Sequence, residues 1–113
     1  MTGEQLAEVS NAVVRIFAEC YGRGPTKAKT YAVDRFLVCV LEDFLTTVEE
    51  TLVRRGRQDL VRQVRLAFQE EIAERFRREI AEIVGREVLA YHSQVTFDPA
   101  TGFDVFVLAD DGA

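Results

Sequence analysis

Gly22-Arg23-Gly24-Pro25-Thr26-Lys27-Ala28-Lys29-Thr30 runs straight into Tyr31-Ala32-Val33-Asp34-Arg35-Phe36-Leu37-Val38-Cys39-Val40-Leu41. How these residues divide between loop and strand decides the architecture. The first part reads as a rigid cationic loop. It holds one of the two prolines and both lysines, and every other cation in the chain is arginine. Gly22 suits the position just past a helix, and Pro25 cannot continue one. The second part, Tyr31 to Leu41, reads as a strand because it is rich in β-branched and aromatic residues and has no helix period. Alternation sends Phe36, Val38 and Val40 to one face and Leu37, Cys39 and Leu41 to the other. Both faces are apolar, so both are expected to be covered, the second either by the first helix or by another subunit.

Upstream, Leu6, Val9, Val13, Ile16, Phe17 and Cys20 recur at gaps that place one apolar stripe on a helix over 4–20, closed by Tyr21. Downstream, Thr46-Thr47-Val48-Glu49 has the form of a capping box opening a short helix that Gly56 ends. Arg54, Arg55 and Arg57 read as its solvated end. Asp59 is placed as the cap of a long helix to Val84, with Gly85 as its stop. Leu60, Val64, Phe68, Ile72, Phe76, Ile80 and Ile83 form its apolar stripe. Arg62, Arg65, Glu70, Glu74, Arg77, Arg78 and Glu82 lie on the other face, and Glu71–Arg75, Glu74–Arg78 and Arg78–Glu82 are spaced to pair. Glu87–Phe97 and Phe103–Leu108 read as an antiparallel hairpin around Asp98-Pro99-Ala100-Thr101-Gly102. Leu89, Tyr91, Val95 and Phe97 are assigned to one face, and Val88, Ala90, His92, Gln94 and Thr96 to the other. Ala109-Asp110-Asp111-Gly112-Ala113 reads as a frayed acidic tail.

The expected fold class is therefore α+β: a two-layer αβααββ domain over residues 1–113, with a small three-stranded, largely antiparallel sheet covered by the long helix. The first strand falls at one side of that sheet. An apolar strand there invites pairing, and the expectation is a homodimer.

Composition narrows the function classes. The chain has 113 residues, 48% of them hydrophobic, and a net charge of -5. That suffices for one core and disfavours nucleic-acid binding, which needs clustered cations. No apolar run approaches the 18 or so residues of a membrane helix, and the acidic N-terminus lacks the features of a secretory signal. A cytoplasmic protein without direct membrane insertion is expected. Cys20 and Cys39 sit among apolar residues and read as reduced, buried thiols.

Catalytic chemistry is thinly supplied. His92 is the lone histidine, and the metal-binding spacings of zinc sites are missing. Ser93 adjoins His92, but neighbours on a strand point to opposite faces. Glu49-Glu50 and Glu70-Glu71 read as solvated charge. No catalytic residue, metal or cofactor is assigned, and the protein is expected not to be an enzyme. The loop remains as the candidate site: Gly22, Arg23, Gly24, Thr26, Lys27 and Lys29. It can be a turn with solvated lysines, a small-anion site, or a contact for a macromolecule. If the strand begins near Thr26, Lys27 and Lys29 share a face.

Tyr21 through Thr30 resembles the signature of the bacterial MpsC family. The resemblance continues through Leu45-Thr46-Thr47-Val48-Glu49, Leu60-Val61-Arg62-Gln63-Val64-Arg65, Val84-Gly85-Arg86-Glu87-Val88 and Phe106-Val107-Leu108, covering about residues 5 to 109. The loop is its specific part. Family members commonly have Leu-Thr-Pro-Xaa-Glu where this chain has Leu45-Thr46-Thr47-Val48-Glu49, so the cap is kept without its proline. The resemblance implies a soluble component of a membrane-potential-generating system associated with sodium or proton translocation and bicarbonate supply. It implies an accessory interaction protein, peripheral to the inner face of the membrane and docked on a transporter subunit. The alternative is a sensor that binds a small anion or nucleotide at the Gly22–Thr30 loop.

Overall fold

The computed structural model describes residues 1–110. Its element order is α1 (Gly3–Tyr21), β1 (Lys27–Val33), β2 (Phe36–Glu42), α2 (Thr47–Arg54), α3 (Gln58–Val84), β3 (Val88–Thr96) and β4 (Thr101–Leu108). The class is α+β, as the sequence implies. The order is αββααββ rather than αβααββ, and the sheet has four strands rather than three. All neighbours are antiparallel, in the order β1-β2-β4-β3.

The difference arises at Asp34. The residues read as one strand from Tyr31 are two, folded back on each other with Val33 opposite Phe36. Asp34 adopts a φ of 53°, a left-handed conformation that aspartate tolerates, so the chain turns there without glycine or proline. The turn moves the apolar run Phe36–Leu41 to an interior strand, flanked by β1 and β4. That strand is not at the sheet edge, and the edge-pairing argument for a dimer falls with it.

Helix boundaries follow local chemistry. Thr2 caps α1 in a capping box with Gln5, and Gly22 closes it at φ 81°. Thr46 and Glu49 form the expected box on α2. Helix α3 begins one residue before Asp59, with Arg57 at the cap position and no side-chain cap bond. Asp59 pairs with Arg57 instead, at 3.2 Å.

Cross-strand partners share a face, so the register defines the two sides of the sheet. One side carries Thr30, Leu37, Cys39, Leu41, Asp104, Phe106, Tyr91 and Val95, all buried. Both α1 and α3 lie on it. Ser10 of α1 meets Thr30 at 2.7 Å, and Phe76 of α3 stacks on Tyr91 with centroids 4.7 Å apart and meets Phe17 of α1 at a tilt, with centroids 5.4 Å apart. Among the described residues no helix crosses the second face, contrary to one of the two expectations for it.

Helix α3 is buried mainly toward its C-terminal half, through Ile72, Phe76, Ile80 and Val84, and at Val61 nearer its start. Val64 is 54% exposed and Leu66 58% exposed. At about 1.5 Å per residue the helix is roughly 40 Å long, longer than the sheet beneath it, so its first turns overhang and pack on α2. The expected surface pairs give way to ties between helices. Arg75 bonds Glu79 one turn on within α3 and reaches Glu19 of α1, and Arg15 of α1 bonds Glu79 at 2.7 Å.

A bulge between Val88 and Ala90 shifts the register of β3. Val88, assigned to the mixed face, is therefore buried, while Leu89 is 45% exposed. Of the expected frayed tail, Asp111, Gly112 and Ala113 lie outside the described residues. The N–H of Ala109 donates to the Glu87 carbonyl at 2.8 Å, and Asp110 lies 3.5 Å from Arg35.

Candidate functional site

The candidate residues of the loop divide into two groups. Gly22, Arg23, Gly24 and Thr26 belong to a clamp. Gly22 ends α1, its N–H donating to the Ala18 carbonyl at 3.0 Å. Gly24 lies so close to α1 that a Cβ there would stand 2.6 Å from the Val14 carbonyl oxygen. Arg23 donates to the Leu45 carbonyl at 2.6 Å and the Asp43 carbonyl at 2.9 Å, with the Asp43 carboxylate at 3.3 Å and Glu50 at 4.0 Å. The Thr26 hydroxyl donates to Asp43 Oδ2 at 2.9 Å. The Thr26 hydroxyl and then Arg23 hold the Asp43 carboxyl below the usual carboxylate range. These groups fasten the end of α1 to the segment between β2 and α2.

Lys27 and Lys29 stand apart from that clamp. The strand begins at Lys27, and alternation points both lysines to the face of the sheet away from the helices. Lys27 is 3.9 Å from Glu42, and the Lys29 ammonium lies 5.1 Å from the centre of the Tyr31 ring. They flank a shallow pocket of about 270 Å³ that also meets Tyr31, Val40 and Glu42.

No helix among the described residues covers the face they rim. From the register, its rows are Lys29-Val40-Phe103-Gln94, Tyr31-Val38-Val105-His92 and Val33-Phe36-Val107-Ala90. A polar row of Lys27, Glu42, Thr101 and Thr96 closes one end. Val33 is 58% exposed, Tyr31 46% and Phe36 38%, and Val38, Val40, Phe103, Val105 and Val107 are half-buried. His92 faces this side while Ser93 faces the helices, so the two form no dyad.

Two buried polar features were not foreseen. The first is Glu49, read as solvated, and Arg65, read on the solvated side of α3. They form a two-pronged ion pair at 2.7 and 2.5 Å with side chains 8% and 9% exposed. The Arg65 guanidinium also lies 4.0 Å from the Tyr21 ring centre and 5.2 Å from that of Phe44. Burial pushes the Glu49 carboxyl up. The bonds from Arg65 and the Thr46 N–H outweigh it, and the net displacement is below the ordinary range.

The second is a polar row across the covered face: Thr30, Cys39, Asp104 and Ser93 in register, continued by Ser10. Asp104 is fully buried and accepts a bond from the Tyr91 hydroxyl at 3.0 Å, while its Oδ2 has no hydrogen-bond partner. Burial pushes its carboxyl up to about 6, although Ser93 and Tyr91 pull the other way. Burial likewise pushes the Cys39 thiol up to about 11, which makes it inert at neutral pH. Asp104 carries a readable signal, a carboxylate inside Phe103–Leu108 at a position whose alternation matches Phe106. Among the described residues, no group of three or more potential ligands gathers that could hold a metal ion.

Fold and surface together define a two-layer α+β protein with one sheet face packed and the other open to contact. Among the described residues no helix is long and apolar enough to cross a membrane. The chain belongs to the MpsC family, described as the Na+-translocating membrane potential-generating system (MpsC), whose sequence model matches residues 2–110. No curated protein and no solved structure matches it.

Proposed function

We propose that this protein is a non-enzymatic, cytoplasmic accessory subunit of a cation-translocating, membrane-potential-generating system, bound to an integral membrane component on its inner side. Membership in the MpsC family supports a role in such a system. The observation that carries the accessory role is the division of the molecule. The Arg23 clamp and the Glu49–Arg65 pair are engaged in holding the fold, and the open sheet face is suited to protein contact rather than chemistry. With no membrane-crossing helix among the described residues, this part of the protein serves the system by docking.

The test is a tagged pull-down from native membranes with mass spectrometry of what is recovered. Recovery of an integral membrane cation-transport subunit by the wild type is the expected result. Loss of that subunit in Lys27→Ala/Lys29→Ala places the contact at the β1 rim. Recovery of no membrane subunit overturns the accessory reading.

A second reading, binding of a small anion or nucleotide, is favoured by the shared face and pocket of Lys27 and Lys29. It has to work without Arg23, whose guanidinium is committed to Asp43 and Leu45. Titration calorimetry with bicarbonate, phosphate and a nucleotide tests it, and absence of heat with all three removes it.

A further inference from the structure

We infer that the open sheet face is the interface of a two-fold dimer. Two copies pack face to face as an eight-stranded sandwich with the helices outside. A face closed by a second copy leaves the outer helices for a membrane subunit, and the test uses the purified chain alone so that its failure and that of the accessory reading are told apart.

Both sheet edges are blunted, so the surface left for association is the face. The β1 edge carries Lys27 and Lys29, and charged edge residues oppose strand addition. On the β3 edge, the Gln69 side chain of α3 accepts the Ser93 N–H at 2.7 Å, occupying a donor that an added strand would use. The bulge between Val88 and Ala90 breaks the same edge further along.

The face has the size and the pattern of a dimer interface. Four strands at about 4.8 Å spacing and seven residues at about 3.3 Å rise give a patch of roughly 19 by 23 Å. Two such patches together remove on the order of 1,000 Å² from water, the size at which specific interfaces begin. Apolar side chains from facing sheets interdigitate at about 10 Å separation, and Val38, Val40, Phe103, Val105, Phe36 and Tyr31 provide them.

The charge pattern selects a second copy and its orientation. Place a two-fold axis between the sheets, parallel to the strands and over the line between β2 and β4. Each row then meets the same row of the partner, reversed. The polar end faces the polar end, with Lys27 over Thr96 and Glu42 over Thr101. Lys29 lies over Gln94 and Tyr31 over His92. The apolar row Val33-Phe36-Val107-Ala90 covers its own copy. No lysine meets a lysine, and no charge is set against the apolar rows. An axis perpendicular to the strands would stack β1 on β1 and lay the polar end over the apolar one.

Sedimentation velocity from about 1 to 100 µM, with circular dichroism on each sample, tests the proposal. The wild type is expected at twice the chain mass of 12.8 kDa at the upper concentrations. Val105→Lys, at the centre of the face, is expected to run as a folded monomer. Val33→Lys, at an already exposed site, is expected to weaken association at least tenfold, and it decides the matter if Val105→Lys fails to fold. A wild type that stays monomeric at 100 µM, or a folded Val33→Lys that dimerises as well as the wild type, overturns the proposal. Orientation is read by mixing Tyr31→Cys and His92→Cys variants in a Cys20→Ala background with a short bismaleimide. Cross-linking between the two variants supports the strand-parallel axis, and cross-linking of Tyr31→Cys to itself overturns it.

Discussion

The two faces of this sheet are built from the same strands and have opposite composition logic. The helix-covered face is buried, yet it carries a polar row from Ser10 through Thr30 and Asp104 to Ser93. The open face is half-exposed, yet its centre is almost wholly apolar. Alternation alone gives the two sides of β2 equal claim to burial, and the packing decides between them. The comparison teaches that apolar character marks surface that must be covered, whereas buried polarity marks where the fold is already complete.

The largest effects should separate the faces by mutation. Phe76→Ala removes a fully buried ring that touches Phe17, Tyr91 and Phe106. It should cost about 3–5 kcal/mol in urea unfolding, independent of protein concentration. Phe36→Ala on the open face should cost under about 1 kcal/mol in dilute solution, and more as concentration rises and the dimer forms. Equal costs at all concentrations would erase the distinction between the faces.

Next in size is the ion pair sealed beside the covered face. Glu49→Gln leaves the Arg65 charge buried without its partner and should cost about 3 kcal/mol, in the range for breaking buried pairs. Glu50→Gln, one residue along and exposed, should change stability by less than about 0.5 kcal/mol. Similar losses at both positions would show that the burial of Glu49 is unimportant.

Asp104 sharpens the comparison through pH. Its folded carboxyl titrates near 6, above the ordinary value of 3.8. Folding therefore holds a proton that the unfolded chain releases. The resulting contribution is fully present below the ordinary value and is lost as pH rises through about 6. Asp104→Asn keeps an acceptor for Tyr91 and removes the charge. It should be more stable than the wild type at pH 8, by on the order of 2–3 kcal/mol. The advantage should shrink toward zero below pH 4. Taking the difference between the two proteins cancels the opposite pH trends of Asp43 and Glu49. A constant difference across pH would mean that Asp104 does not titrate in the folded protein.

Much of this fold was legible, and the gaps have physical causes. The C-terminal end of α1 and the start of α2 follow from Gly22, Thr46 and Glu49, whose chemistry is local. The β3–β4 hairpin follows from alternation around Pro99. The β1–β2 turn was hidden because Asp34 takes the left-handed conformation without the glycine that usually marks it. The bulge at Val88–Ala90 was hidden for a related reason, since an extra residue leaves no compositional trace. The exposure of Val64 and Leu66 is set by which face of α3 the sheet and α2 take up, which periodicity does not contain. The candidate loop is shorter than its composition suggests, because Lys27–Thr30 already belong to β1, and the commitment of Arg23 to Asp43 and Leu45 is a tertiary fact. Asp104 was readable from the alternation of β4, because it shares a face with Phe106.

The most direct test of the central claim, that the open sheet face is a contact surface, is carbene footprinting of the purified protein across a concentration series. Labelling of Tyr31, Phe36 and Phe103 should fall severalfold as concentration rises through the dimer transition. Val64 and Leu66, exposed on α3, should label equally throughout. Unchanged labelling of the sheet face at every concentration would contradict the account.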